Sequence, residues 1–242
     1  MHNKNIFKIH PFYRKIIAPL RKSKILSGCV FGVKVFDPNP KYYWDWVTLC
    51  LRKALSKEKL EINSFLDMGC GFHAILSLYA FHMKCRSITA IDIIPDIIKS
   101  AKGFLERNGV KADVILSDFV DSIPGKIFDI IAFNAAYIPE EWGNIQGINN
   151  KLPLSPKDQI KTWSGGRDGL DCIRNFLDKV PKALTSNGKI LLGFNSYYIR
   201  DADVRAIVDA NKLYVDNVIT LSLLPAIVFS IRKINQEGYV DE

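Results

Sequence analysis

No Cys-x-x-Cys pair occurs in the 242 residues, and the five cysteines, Cys29, Cys50, Cys70, Cys85 and Cys172, are odd in number and scattered. A disulfide framework is therefore excluded as an organising element, and no metal site is expected. Also missing is any apolar run near the roughly 18 residues that a membrane span needs. The first thirty residues mix Lys, Arg and His with short apolar pieces and do not build a signal peptide. These absences set the expectation of a cytoplasmic protein without a membrane partner. No internal repeat and no low-complexity segment is present, which sets aside repeat architectures. What the chain does have is a hydrophobic content of 48%, enough for one sizeable core plus an appendage but cramped for two enzyme domains. Its net charge of +8 permits contact with RNA, ribosomes or other anionic partners. The oligomeric state is left open.

Residues 1–40 read as a basic N-terminal extension, carrying Lys4, Lys8, Arg14, Lys15, Arg21, Lys22 and Lys24 and ending in Phe36-Asp-Pro-Asn-Pro40. This segment suits an anionic partner, a lid or a solvated surface equally. The remainder, 41–242, reads as one domain. Trp44, Val47, Leu51 and Leu55 recur at helical spacing, predicting a helix from Lys41 to about Ser56 with Pro40 near its start and the aromatics Tyr42, Tyr43, Trp44 and Trp46 mainly in the core. The chain then alternates, with strands expected at Ser64–Met68, Ile88–Asp92, Asp113–Ser117, Phe128–Phe133, Lys189–Phe194, Tyr214–Thr220 and Ala226–Ile231. Helices are expected at His73–His82, Asp96–Asn108, Leu170–Leu184 and Asp201–Ala210. Such alternation is the signature of an α/β fold with a doubly wound, seven-stranded, mostly parallel sheet. The connection through Pro225 is too short for a crossover helix, so the last two strands should form an antiparallel hairpin. Glu140–Ser164 is long, polar and rich in Gly, Asn and Pro, the kind of loop that carries function.

The segment Asp67-Met-Gly69-Cys-Gly71 follows an apolar strand and precedes a helix, where glycines let backbone approach a ligand and free N–H groups face it. Asp92 ends the next strand about twenty residues on, suited to both hydroxyls of a ribose, with Ile93 beside it. The same glycines also read as Gly69-x-Gly71-x-x-Ala74, a dinucleotide fingerprint, which brings an NAD-dependent enzyme into view. Three features favour a methyl donor. Asp67 sits where a carboxylate would attract the cationic amino group of S-adenosylmethionine and repel a pyrophosphate. Asp118-Phe119 follows the third strand, placed to accept from an adenine amino group and to pack on its ring. The terminal hairpin resembles the sheet edge of class I methyltransferases, a Rossmann-like fold. The resemblance implies S-adenosylmethionine as cofactor and S-adenosylhomocysteine as product, held by Asp67, Gly69, Gly71, Asp92, Ile93, Asp118, Phe119 and Asn134.

Asn134-Ala-Ala-Tyr137, at the end of Phe128-Asp-Ile-Ile-Ala-Phe, resembles the Asn-Pro-Pro-Tyr motif of amino methyltransferases, with alanine in place of both prolines. Trp163-Ser-Gly-Gly166-Arg-Asp-Gly169 is similar to the Gly-Gly-x-x-Gly segment of the release-factor glutamine N5-methyltransferases, and Val35-Phe-Asp-Pro38 to their acid-Pro lead-in. The small-domain RNA guanine and adenine N-methyltransferases stand close behind. His73 occupies the place of that family's third glycine. The resemblance implies that Asn134 and Tyr137 are catalytic. A planar amide or exocyclic amine is a poor nucleophile because its lone pair is delocalised. Asn134 Oδ1 and the Ala135 carbonyl would accept hydrogen bonds from the target NH2, and Tyr137 would stack on its plane. A protein glutamine and a nucleobase remain open as acceptors. A small-molecule methyltransferase, with Tyr42–Trp46 lining a pocket, and a non-catalytic relative are the alternatives. Asp168 is expected to cap the helix after the Gly-Gly-x-x-Gly segment.

Overall fold

The computed structural model describes residues 20–21, 23–37, 43–58, 62–145, 152–222 and 224–234. Seven strands, β1 Ser64–Met68, β2 Ser87–Asp92, β3 Asp113–Leu116, β4 Phe128–Asn134, β5 Leu184–Asn195, β6 Leu213–Thr220 and β7 Ala226–Lys233, form one sheet in the order β3-β2-β1-β4-β5-β7-β6. The first five pair in parallel, while β7 runs antiparallel between β5 and β6. The expected hairpin is thus present, turned so that its second strand is the inner one. Eight α-helices are described: α1 Lys24–Phe31, α2 Trp46–Leu55, α3 Ile75–His82, α4 Pro95–Arg107, α5 Glu140–Ile145, α6 Pro156–Lys161, α7 Asp171–Lys179 and α8 Asp201–Ala210. Among the described residues no helix is long and apolar enough to cross a membrane.

β1 and β4 are buried nearly end to end, as expected of strands covered on both faces. They are neighbours although the chain visits β2 and β3 between them, so the strand order reverses at this pair. In an open parallel sheet the crevice beyond that point is where ligands bind.

Three expectations shift. The helix predicted from Lys41 begins at Trp46, because Asp45 Oδ1 accepts from the Thr48 N–H at 2.7 Å and caps it there. Lys41, Tyr42 and Pro38–Pro40 lie outside the described residues. The helix predicted over Leu170–Leu184 stops at Lys179, since Pro181 cannot continue it; a short 3₁₀ turn, Pro181–Ala183, leads into β5. The loop expected over Glu140–Ser164 holds the two short helices α5 and α6.

The described part of the basic N-terminal segment is built into the same core. Phe31, fully buried, lies 6.0 Å from the Trp44 ring and 6.4 Å from that of Tyr79. Residues Lys34 and Val35 are tied to the end of α4 by Asn108, whose Oδ1 accepts from both backbone N–H groups and whose Nδ2 donates to the Val35 and Phe104 carbonyls. Lys4, Lys8, Arg14, Lys15 and Lys22 lie outside the described residues. Tyr43 and Trp44 are in the core, at 4% and 5% exposure.

Candidate active site

The carboxyl ends of β1, β2 and β4 bring Asp67, Asp92 and Asn134 to one edge of the sheet. The turn after β1 is possible because Gly69 and Gly71 adopt left-handed backbone, φ +59° and +66°. A Cβ on Gly69 would lie 3.1 Å from the Phe133 ring, whereas nothing lies within 4 Å of the corresponding point at Gly71, which faces open space. Ala74, the residue before α3, also takes positive φ at +40° and offers that helix no side-chain cap.

Asp67 supplies the missing cap from β1. Its Oδ2 accepts from the Ser77 N–H at 2.9 Å and the Ser77 hydroxyl at 2.8 Å, while its Oδ1 has no donor among the described residues. The side chain is 2% exposed, and burial pushes its carboxyl up to about 7, against the lowering pull of the Ser77 bonds. A buried carboxylate with one unmet oxygen is incomplete, and an ammonium group is the partner that would complete it. Asp92 is more nearly satisfied: Oδ2 accepts from Gly71 N–H at 3.2 Å and Oδ1 from Ile94 N–H at 3.1 Å. Burial lifts this carboxyl to about 6, opposed by those backbone donors and by the charge of Lys161 on α6. The long segment after β4 therefore reaches back toward the acid on β2. Ile93, 42% exposed, follows Asp92 directly.

Beyond β3, Ser117 N–H donates to the Asp92 carbonyl at 3.0 Å, which holds Asp118-Phe119 next to Asp92. Ser117 Oγ caps the following turn by accepting from Ser122 N–H at 3.0 Å. Asp118 is exposed and Phe119 half-buried, its ring 6.3 Å from that of Phe133.

At the end of β4, Asn134 Nδ2 lies 3.2 Å from both carboxylate oxygens of Asp45 and 3.2 Å from Thr48 Oγ1, at the start of α2. The helix comes this close because Gly193 stands opposite Asn134 in the β4–β5 register, and a Cβ there would sit 2.5 Å from Val47 Cγ1. Asp45 and Thr48 were missed in the sequence reading. The one local signal for them is an acid at the head of an apolar 3,4 pattern. Tyr137 is 9% exposed with its ring 6.0 Å from that of Tyr198, while Trp142 and Tyr197 pair at 6.0 Å alongside.

The Gly-Gly-x-x-Gly segment docks on this stretch. Ile138 N–H donates to the Trp163 carbonyl, Gly165 N–H to the Ile138 carbonyl, and Glu140 N–H to the Gly166 carbonyl, at 3.0 to 3.1 Å. A Cβ on Gly169 would come within 2.6 Å of the Tyr137 carbonyl. Asp168 Oδ1 accepts from Leu170 N–H at 3.0 Å, closing the turn ahead of α7.

His73, in the place of a third glycine, is engaged by the lead-in segment and α4. Its Nε2 meets Asp37 Oδ2 at 3.0 Å, its ring packs 4.7 Å from Tyr43 and 4.9 Å from Phe104, and burial lowers its pKa. Arg107 pairs with the other oxygen of Asp37. The acid of the lead-in segment is thus fastened to the glycine turn.

A sheet of this order has the Rossmann-like fold of S-adenosylmethionine-dependent methyltransferases. Solved structures share it. A methyltransferase from Pyrococcus furiosus superposes with a TM-score of 0.61 over 92% of this chain and 100% of that one, at 15% identity. A ribosomal protein L11 methylase from Lactobacillus delbrueckii subsp. bulgaricus does so with 0.55 over 83% and 90%, at 14% identity. In sequence, residues 47–137 match the family model for ribosomal protein L11 methyltransferase (PrmA). A release factor glutamine methyltransferase of Bacillus anthracis is 26% identical over 162 residues, covering 65% of this chain and 53% of that protein. A putative protein N5-glutamine methyltransferase of Methanocaldococcus jannaschii is 27% identical over 125 residues, covering 52% and 58%. The chain spans about half the length of the curated relatives it matches. Among the relatives it resembles in sequence are release factor and ribosomal protein uL3 glutamine methyltransferases.

Proposed function

We propose that this chain methylates the NH2 nitrogen of a planar amide or amine on a macromolecule, a protein glutamine first, in the cytoplasm and with S-adenosylmethionine as donor. The observation that carries this reading is the placement of Asn134 on β4, beside the strand that carries the incomplete buried acid Asp67 near its end. Bound here, the cofactor supplies an electrophilic methyl group on a sulfonium sulfur. Asp67 would meet its ammonium group through Oδ1, Asp92 the ribose hydroxyls, Gly69 and Gly71 the approaching backbone edge, and Ile93, Asp118 and Phe119 the adenine, with Asn134 between cofactor and acceptor. Asn134 Oδ1 and the Ala135 carbonyl would hold the acceptor NH2 and pull electron density toward its nitrogen as the bond to the methyl forms. Tyr137 would bound the acceptor plane.

The names of the relatives support a glutamine on a release factor or ribosomal protein. A nucleobase is the second reading, favoured by the aromatic group Tyr137, Trp142, Tyr197 and Tyr198, since flat rings stack on flat bases. Labelled-methyl transfer into separated protein, RNA and metabolite fractions of a cell extract tests the class. Label in protein supports the first reading, label in RNA the second, and label confined to metabolites sinks both. Asn134→Ala is expected to slow turnover by on the order of a hundredfold with little change in cofactor affinity.

A further inference from the structure

We propose that Asp45 is a positioning residue: together with Thr48 it fixes the side-chain amide of Asn134 in the one orientation that presents Oδ1 to the acceptor. The proposal rests on the reading that Asn134 holds the acceptor NH2. The two ends of a carboxamide differ only in what they can bond, Oδ1 accepting and Nδ2 donating. Asp45 offers two carboxylate oxygens, both 3.2 Å from Asn134 Nδ2, and these only accept. Thr48 has one hydroxyl proton, and it is given to Asp45 Oδ1 at 2.8 Å, so its oxygen too can only accept from Asn134, at 3.2 Å. All three partners therefore demand the NH2 end. A flipped amide would set Oδ1 against two negative oxygens and turn two N–H groups toward an acceptor that itself presents N–H groups.

The arrangement is rigid on the helix side. Asp45 Oδ1 also accepts from Thr48 N–H at 2.7 Å as the cap of α2, and Thr48 is 7% exposed. The residue that starts the helix is thus also the one that reads the end of β4, across 89 positions of sequence. Asp45 can be changed without losing the helix start, because serine caps nearly as well as aspartate yet is too short to reach Asn134.

The test compares wild type, Asp45→Ser, Asn134→Ala and the double variant, using labelled-methyl transfer from S-adenosylmethionine into the pooled protein and RNA of a cell extract. S-adenosylhomocysteine affinity is measured in parallel. Asp45→Ser is expected to lower kcat by on the order of tenfold, with S-adenosylhomocysteine affinity unchanged. The double variant should be no slower than Asn134→Ala alone, because Asp45 acts through Asn134. A wild-type rate for Asp45→Ser, or losses that multiply in the double variant, overturns the proposal while leaving Asn134 in place. A wild-type rate for Asn134→Ala removes the reading beneath it. Independently of any acceptor, the side-chain NH2 resonances of Asn134 in the full-length protein, labelled with ¹⁵N-asparagine, should be protected from solvent exchange and lose that protection in Asp45→Ser. Signals that do not change refute the contact itself.

Discussion

Acidifying the solution from pH 7.5 to 6 should weaken binding of S-adenosylhomocysteine, and Asp67 sets the size of the effect. Its buried carboxyl titrates at about 7 in the free protein, and an ammonium partner can be held only by the ionised form. If binding requires that form, the apparent dissociation constant scales as one plus the protonated-to-ionised ratio. This gives about a twofold weakening at pH 7 and about tenfold at pH 6 relative to pH 8. The ligand's α-amino group has a free carboxylate on the same carbon and stays protonated across this window, so the slope reports the protein. Asp92, at about 6, adds a further loss at the acid end, and Asp67→Asn separates the two. The amide keeps an oxygen for Ser77 but cannot attract a cation. It should bind the ligand about ten- to a hundredfold more weakly at pH 7.5, the worth of one charge-assisted bond, and show little slope between pH 6.5 and 7.5. Calorimetry in buffers of different ionisation enthalpy should also record release of about half a proton per ligand at pH 7 for the wild type and markedly less for the variant. Equal slopes for the two proteins, or tighter wild-type binding in acid, would refute the assignment of Asp67 to the ammonium group.

The same carboxyl makes the ligand-free protein sensitive to base. A group whose folded pKa is raised stabilises most below its unfolded value of about 4 and loses that contribution as pH climbs through about 7. Asp67→Asn should therefore melt several degrees above wild type at pH 8, with the gap closing toward pH 5, as differential scanning calorimetry would show. Asp92→Ala strands the N–H groups of Gly71 and Ile94 and is expected to cost at least about tenfold in S-adenosylmethionine affinity; titration with NAD should give no heat for either protein. Gly193→Ala pushes Val47, and with it α2, off the sheet. A loss of about 1 to 3 kcal/mol in urea denaturation should come with lowered methyl transfer, whereas a fully stable and active variant would mean that the close approach is dispensable.

The layout of the sheet was readable because its central strands are buried on both faces and so appear as largely apolar runs separated by glycine, asparagine and proline. β5 was half seen. Its opening stretch, Thr185-Ser-Asn-Gly188, reads as a turn and joins β4 only through Leu184 before the register shifts, so its pairing depends on a neighbour that no local pattern announces. Acids at strand ends were readable for the same topological reason, since each follows an apolar run at a ligand-facing end. What each acid bonds was not. Asp67 also caps a helix whose own N-cap residue, Ala74, cannot, and His73 turns to Asp37 in a distant segment. Asp45 could be read as a helix start, but its second partner lies in β4, and only the closeness allowed by Gly193 reveals it.

The reversal of strand order between β1 and β4 has a metric consequence. In register, Asp67 lies beside Ala132 and Met68 beside Phe133, so the first residue past β1 falls level with Asn134 on the next strand. Adjacent strands stand about 4.8 Å apart, and backbone hydrogen bonds hold them to that spacing. Where donor and acceptor groups are carried on such neighbours, the gap that a methyl group must cross is ruled by the sheet's own lattice rather than by the closing of a hinge.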